Sequence, residues 1–304
     1  CVVFLFRRYV ARVPRFVHSD LQGFPVKDAT LILVVEIVLM GAVLLMNISD
    51  TELQQSAVMP ISGLFAPFFS PIGDTTLHFI ERAAWWGHLV GILLFLNYLP
   101  FSKHFHIIIA FPNTWYANLD AKGKFENMVS VQQEVKLMMD PSAQPPDGYE
   151  PPTSFGVRDV YDLKWKNLMD AYSCTECGRC TSVCPANSTG KLLSPRRVMM
   201  QVRDRLEEVG RNIDKNGKDY RDDKDLHNYI SAEELWACTT CNACAEACPV
   251  QINPMEIIYD MRLYLVMEKS EAPTELNGMF TNLENNGAPW QFSPMDRGNW
   301  AKEV

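Results

Sequence analysis

Eight of the nine cysteines fall into two runs of identical spacing, Cys174-x2-Cys177-x2-Cys180-x3-Cys184-Pro185 and Cys238-x2-Cys241-x2-Cys244-x3-Cys248-Pro249. Three thiolates at two-residue intervals wrap a loop around one 4Fe-4S cubane, and in two-cluster proteins the fourth cysteine of each run serves the other cluster. The spacing therefore predicts one centre on Cys174, Cys177, Cys180 and Cys248, and another on Cys238, Cys241, Cys244 and Cys184. Structural zinc favours separated CxxC pairs and leaves a third closely spaced cysteine without a role. A disulfide framework belongs to small secreted domains. The runs instead imply a reducing compartment, the cytoplasm. At 304 residues with a net charge of -8, the chain is long enough for more than one domain and has no Lys/Arg-rich block for a nucleic acid partner.

Upstream, the pattern changes. Residues 29–46 carry one charge, Glu36, and would make about 27 Å of helix, close to the thickness of a bilayer core. Residues 83–100 form a second run of the same length, and both are apolar all round rather than striped, as lipid-facing helices are. Arg7, Arg8, Arg12, Arg15 and Lys27 precede the first run, no Lys or Arg occurs from 47 to 77, and Lys103, Lys122 and Lys124 follow the second. By the positive-inside rule the cysteines then lie on the cytoplasmic side of the cell inner membrane. The apolar start from Cys1 to Phe6, running into Arg7-Arg8, reads as the end of a helix begun upstream.

The fold expected is all-α: membrane helices followed by a helical iron-sulfur domain. Residues 1–112 form the membrane part, 113–154 a connector ending in a Pro-rich linker at 141–152, 155–274 the two-cluster domain and 275–304 a tail. Helix starts are marked by Ser194-Pro195, by the capping box Ser231 to Glu234 and by Asn253-Pro254. The mixed-charge stretch 214–225 reads as a solvated surface loop.

The 53 residues with helix signals between Cys184 and Cys238 point to a helical rather than a small bacterial ferredoxin. Phe155-Gly156, Ser173-Cys174-Thr175-Glu176-Cys177-Gly178-Arg179-Cys180 and the segment from Lys191 to Pro195-Arg196 resemble the C subunit of heterodisulfide reductase. They also resemble the iron-sulfur subunits of glycolate oxidase and anaerobic glycerol-3-phosphate dehydrogenase. The tail Phe280-Thr281-Asn282-Leu283-Glu284-Asn285-Asn286-Gly287-Ala288-Pro289-Trp290 is similar to the segment that leads, in that family, toward a cysteine-rich catalytic domain. The resemblance implies a cytoplasmic partner, cysteine-rich like the B subunit of heterodisulfide reductase or containing flavin.

His88-Leu89-Val90-Gly91 and Leu99-Pro100-Phe101-Ser102-Lys103-His104-Phe105-His106 resemble the heme-ligating last helix of the gamma subunit of respiratory nitrate reductase, a membrane cytochrome b. That resemblance implies b-type heme, one or two, with His88 and His106 as axial ligands, and a quinone as diffusible substrate. Eighteen residues are five helical turns, so a continuous helix would place His88 and His106 on one face about 27 Å apart, with His104 opposite. The other reading of the histidines is a hydrogen bond to a neighbouring helix at His88 and an interfacial position at His106. Glu36 and Glu81 are candidate quinone or proton-handling groups; Glu36 could equally pack as a neutral acid.

These features describe an electron-transfer subunit of a quinone-linked oxidoreductase complex, not a complete enzyme. Two alternatives stand beside it: a membrane-anchored dicluster carrier without heme, and a protein whose clusters are structural or sensing.

Overall fold

The computed structural model describes residues 1–304 except 57–58, 122, 126, 141, 143, 146–147, 150–153 and 303–304, together with the side chains of 130, 294 and 297. Lys122 and both ends of the Pro-rich stretch, Pro141 and Pro152, thus lie outside the described residues. The chain is all-α, with no strand among the described residues. Its helices are α1 (Val2–Tyr9), α2 (Phe24–Ser49), α3 (Thr51–Ser56), α4 (Ser62–Phe69), α5 (Asp74–Tyr98), α6 (His106–Trp115) and α7 (Val129–Met139). They continue with α8 (Trp165–Ser173), α9 (Arg179–Ser182), α10 (Pro185–Ser188), α11 (Pro195–Asn216), α12 (Ala232–Ala237), α13 (Ala243–Glu246), α14 (Pro254–Met267) and α15 (Thr274–Asn286).

Two compact units result. One comprises Cys1–Ala117, Met169–Ser182 and Cys248–Ile252; the other comprises Asn118–Leu168, Val183–Ala247 and Asn253–Val304. The division passes between cysteines of the same run, so compactness follows packing rather than chain order.

In the first unit α2 and α5 pack against each other as the long pair. Both are long and apolar enough to cross a membrane, and only 11% of each apolar stretch is buried within the chain. Side chains such as Val38, Met40, Phe79, Trp86 and Leu94 are exposed. A soluble core helix would bury such residues, and the hydrophobic effect disfavours leaving them in water; these helices associate with the membrane. At Gly91 the helices approach so closely that a Cβ would stand 2.7 Å from Leu39.

The second apolar helix does not run on to His106. It tightens to a 3-10 turn at Leu99–Phe101, Ser102 is extended, and a second 3-10 turn at Lys103–Phe105 precedes α6. Pro100 lacks the N–H that would continue the ladder. Asp28, in the second turn of α2, provides another acceptor: Tyr98 Oη (2.6 Å), Ser102 Oγ (2.7 Å) and the Lys103 backbone N–H (3.1 Å) all donate to its buried carboxylate. The single-face spacing of His88 and His106 is therefore corrected by a break that the local hydrogen bonds favour.

In the second unit the helix starts fall where their caps place them. Ser194 accepts from Arg197 N–H, Ser231 and Glu234 form a reciprocal capping box, and Asn253 accepts from Glu256 N–H. The core joins α11, α12 and α14 through Val198, Met199, Val202, Leu235, Ile257, Ile258 and Met261, all nearly inaccessible. Gly156 (φ +74°) lets the chain cross α14, where a Cβ would sit 2.3 Å from the Tyr264 nitrogen and 2.5 Å from the Asp260 oxygen. Val157 N–H donates to that same oxygen at 2.9 Å.

Candidate iron-sulfur centres and membrane histidines

Both cysteine runs adopt the same backbone. The third position of each is left-handed, Glu176 (φ 56°) and Thr240 (φ 53°), and so is the fifth, Gly178 (φ 75°) and Asn242 (φ 62°). Left-handed non-glycine residues cost roughly 1–3 kcal/mol each and persist where the surroundings require them. Here they curl each loop, after which α9 or α13 begins. Sequence reasoning saw the repeated cysteines but not this repeated strain, which the shared spacing of Glu176 and Thr240 could not announce.

The packing divides the eight thiols. Cys174, Cys177 and Cys180 lie in the same compact unit as Cys248, whereas Cys184 lies with Cys238, Cys241 and Cys244. Their electrostatics match this grouping. Burial pushes the Cys244 thiol up to about 12, with further upward pressure from Cys238, Cys184 and Cys241. Burial also raises Cys238 and Cys248; Cys184 and Cys241 add to the first, and Cys177 and Asp170 to the second. Thiols crowded in this way resist ionisation until a cation joins them, and an iron cluster supplies that charge. Among the described residues none of the nine cysteines is in a disulfide, and no three His, Cys, Asp or Glu side chains converge as around a single metal ion.

In the first unit the first run is tied to the segment beyond the second apolar helix. Lys103, nine-tenths shielded, places its ammonium against the buried Glu176 carboxylate and also donates to Pro25 O at 2.6 Å. Burial pushes the Lys103 ammonium down, and Glu176 pulls it back up. Asn113 Nδ2, on α6, donates to Val250 O at 2.9 Å, two residues past Cys248.

His88 Nδ1 lies 2.9 Å from Leu39 O, and His106 Nδ1 lies 2.8 Å from Lys103 O. Both rings thus have one nitrogen committed to a carbonyl, and Nε2 makes no hydrogen bond among the described residues. His104, which a continuous helix would have turned away, instead meets Glu36 at 3.5 Å and stacks near Phe95. Cys1 Sγ donates to the other Glu36 oxygen at 2.8 Å. Glu81 is buried and paired with Arg82 at 3.0 Å, with His78 at 3.5 Å.

Two positively charged groups escaped the sequence reading. Arg205 is completely buried: it donates to both oxygens of Asp159 (3.1 and 2.8 Å), to Asp222 and to the Lys224 carbonyl. The mixed-charge stretch, read as merely solvated, is thereby fastened to α11. Arg262, on α14, donates to Leu235 O at 2.9 Å and to Cys238 O, with its guanidinium 5.0 Å above the Trp236 ring. Neither has a motif; only a charge amid apolar helical positions would have flagged them.

With two four-cysteine runs following a pair of helices long and apolar enough to cross a membrane, the chain has the form of a membrane-associated iron-sulfur electron-transfer protein. Residues 166–249 match the family model of the 4Fe-4S dicluster domain. A probable iron-sulfur-binding oxidoreductase of Bacillus subtilis is 31% identical over 98% of this chain and 44% of its own length. An EtfAB:quinone oxidoreductase of Syntrophomonas wolfei is 29% identical over 84% of the chain and 36% of the relative. A probable membrane-anchored ferredoxin of Chromohalobacter salexigens is 32% identical over 49% and 24%. The chain spans less than half the length of these relatives. No solved structure matches.

Proposed function

We propose that the chain is the electron-transfer part of a quinone-linked membrane oxidoreductase, passing electrons between quinol and b-type heme in the membrane and a cytoplasmic redox partner. The observation that carries this reading is the tie between Lys103 and Glu176, which joins the first cysteine run to the segment bearing His106. Iron-sulfur clusters, when bound, supply one-electron transfer, and the crossed quartets Cys174/Cys177/Cys180/Cys248 and Cys238/Cys241/Cys244/Cys184 would hold them.

His88 and His106 would hold heme. The support is their pose: a metal-ligating histidine ordinarily gives its other ring nitrogen to a carbonyl or carboxylate, which fixes the ring, and both rings do so. The resemblance to a nitrate reductase gamma subunit favours the same ligands. Glu36 with His104 would exchange protons with quinone, since a membrane carboxylate needs such a partner. Glu81 would do so at the outer end, after release from Arg82. The quinone oxidoreductase among the relatives favours this substrate class. A cysteine-rich partner of heterodisulfide reductase type, or a flavin-containing one, would take the electrons, with the cluster domain on the cytoplasmic side.

The test is an optical spectrum of the purified full chain before and after dithionite. Low-spin b-type bands should appear beside the broad iron-sulfur absorbance, and iron bound outside heme should approach about eight per chain, as two four-iron clusters require. Replacing His88 with alanine should remove heme while leaving both clusters. Full heme content in that variant would defeat the assignment, and absence of heme from the native protein would leave a dicluster carrier on plain anchors.

A further inference from the structure

The two cysteine runs share a backbone but not a charge environment. In the first, the third position is the carboxylate Glu176, and the Lys103 ammonium opposes it, so the two charges cancel. In the second, Thr240 takes that position. A fixed charge beside that run is Arg262, whose guanidinium rests on the carbonyls of Leu235 and Cys238 and over the Trp236 ring. Among the described residues no carboxylate pairs with it, and the Cys238 thiol is the ionisable group that acts on it.

Arginine does not lose its proton in proteins, so this charge is permanent. Half-buried, it is less screened than a surface cation. Net charge and hydrogen bonding around a cluster are among the factors that set its reduction potential. A fixed cation favours the form that carries one more electron.

We propose that Arg262 holds the centre of Cys238, Cys241, Cys244 and Cys184 at a higher reduction potential than the centre of Cys174, Cys177, Cys180 and Cys248. An electron shared between the two then rests on the second: one centre is oxidised by one electron as the other is reduced by one, and no other reactant is consumed. Arg262 is a positioning residue, acting through the Cys238 loop and through its charge. The proposal rests on the two-cluster reading above.

The experiment is a redox titration of the full chain with both clusters loaded, followed by electron paramagnetic resonance, with signals assigned through Cys174→Ser and Cys238→Ser variants. In the native protein the second centre should be reduced first. In Arg262→Gln its oxidised-to-reduced ratio at a fixed potential should rise about tenfold, about 59 mV for a one-electron couple, with the first centre unmoved. Arg262→Lys, which keeps the charge, should recover most of that shift. An unmoved second centre, an equal shift of both, or a lysine variant as low as glutamine would overturn the proposal. If the glutamine variant loses iron, the native order decides: reduction of the first centre before the second overturns it. Failure of crossed ligation is read separately, as a Cys184→Ser variant that disturbs the first centre's signal instead of the second's.

Discussion

Arg205 shows how much one side chain can decide. A guanidinium with no exposed surface is tolerable only because Asp159, Asp222 and the Lys224 carbonyl surround it. Removing one partner of a buried ion pair costs about 3–5 kcal/mol, because the other charges stay enclosed. Arg205→Met should therefore lower the unfolding free energy by about that amount, measured by denaturant titration, whereas the exposed pair Lys124–Asp120 should lose less than about 1 kcal/mol on truncation. His227 acts through pH. Burial lowers its affinity for a proton, its Nε2 faces Val157 O at 3.2 Å, and its enclosed Nδ1 has no partner among the described residues. The unfolded chain, with an ordinary imidazole, takes up the proton near pH 6.5 before the folded one does, so stability should fall as pH drops below about 6.5. Thermal unfolding between pH 7.5 and 5.5 should show a smaller slope in His227→Phe than in the native chain. Equal slopes would remove His227 as the cause.

At the scale of elements, the turn between α5 and α6 is the informative one. Asp28 gathers Tyr98, Ser102 and Lys103, which fixes where the membrane helix stops and aims the Lys103 side chain at Glu176. Lys103→Met would take one cation from the buried Glu176 carboxylate and one tie from the left-handed Cys174–Cys177 loop. The first centre's electron paramagnetic resonance signal should broaden or lose intensity while the second centre's persists. An unchanged first signal with full iron content would show that the loop needs no such tie. The regular parts of these elements were legible beforehand: long apolar runs have few alternatives to lipid-facing helix, and Ser194, Ser231 and Asn253 satisfy the first N–H groups of the helices they open. The break before His106 was not, since proline alone bends a helix or ends it according to which carboxylate is nearby.

For the whole molecule, the basic residues before the first span, from Arg7 to Lys27, and the absence of Lys or Arg from 47 to 77 favour a cytoplasmic cluster domain. Protease added to intact spheroplasts should spare residues 155–274 and cleave them once the membrane is opened. Cleavage in intact cells would reverse the topology. The helical class, the two long apolar helices and the doubled cysteine pattern were all written in the order of residues, because apolar length, caps and thiol spacing act over a few positions and do not depend on what packs nearby. Folding in three dimensions was needed to bring His104 to Glu36 and to enclose the charges of Arg205 and Arg262. Those facts depend on segments far apart in the chain, such as Asp159 with Arg205 or Cys238 with Arg262, and an ionic or hydrogen-bonding partner at that separation leaves no periodicity to read.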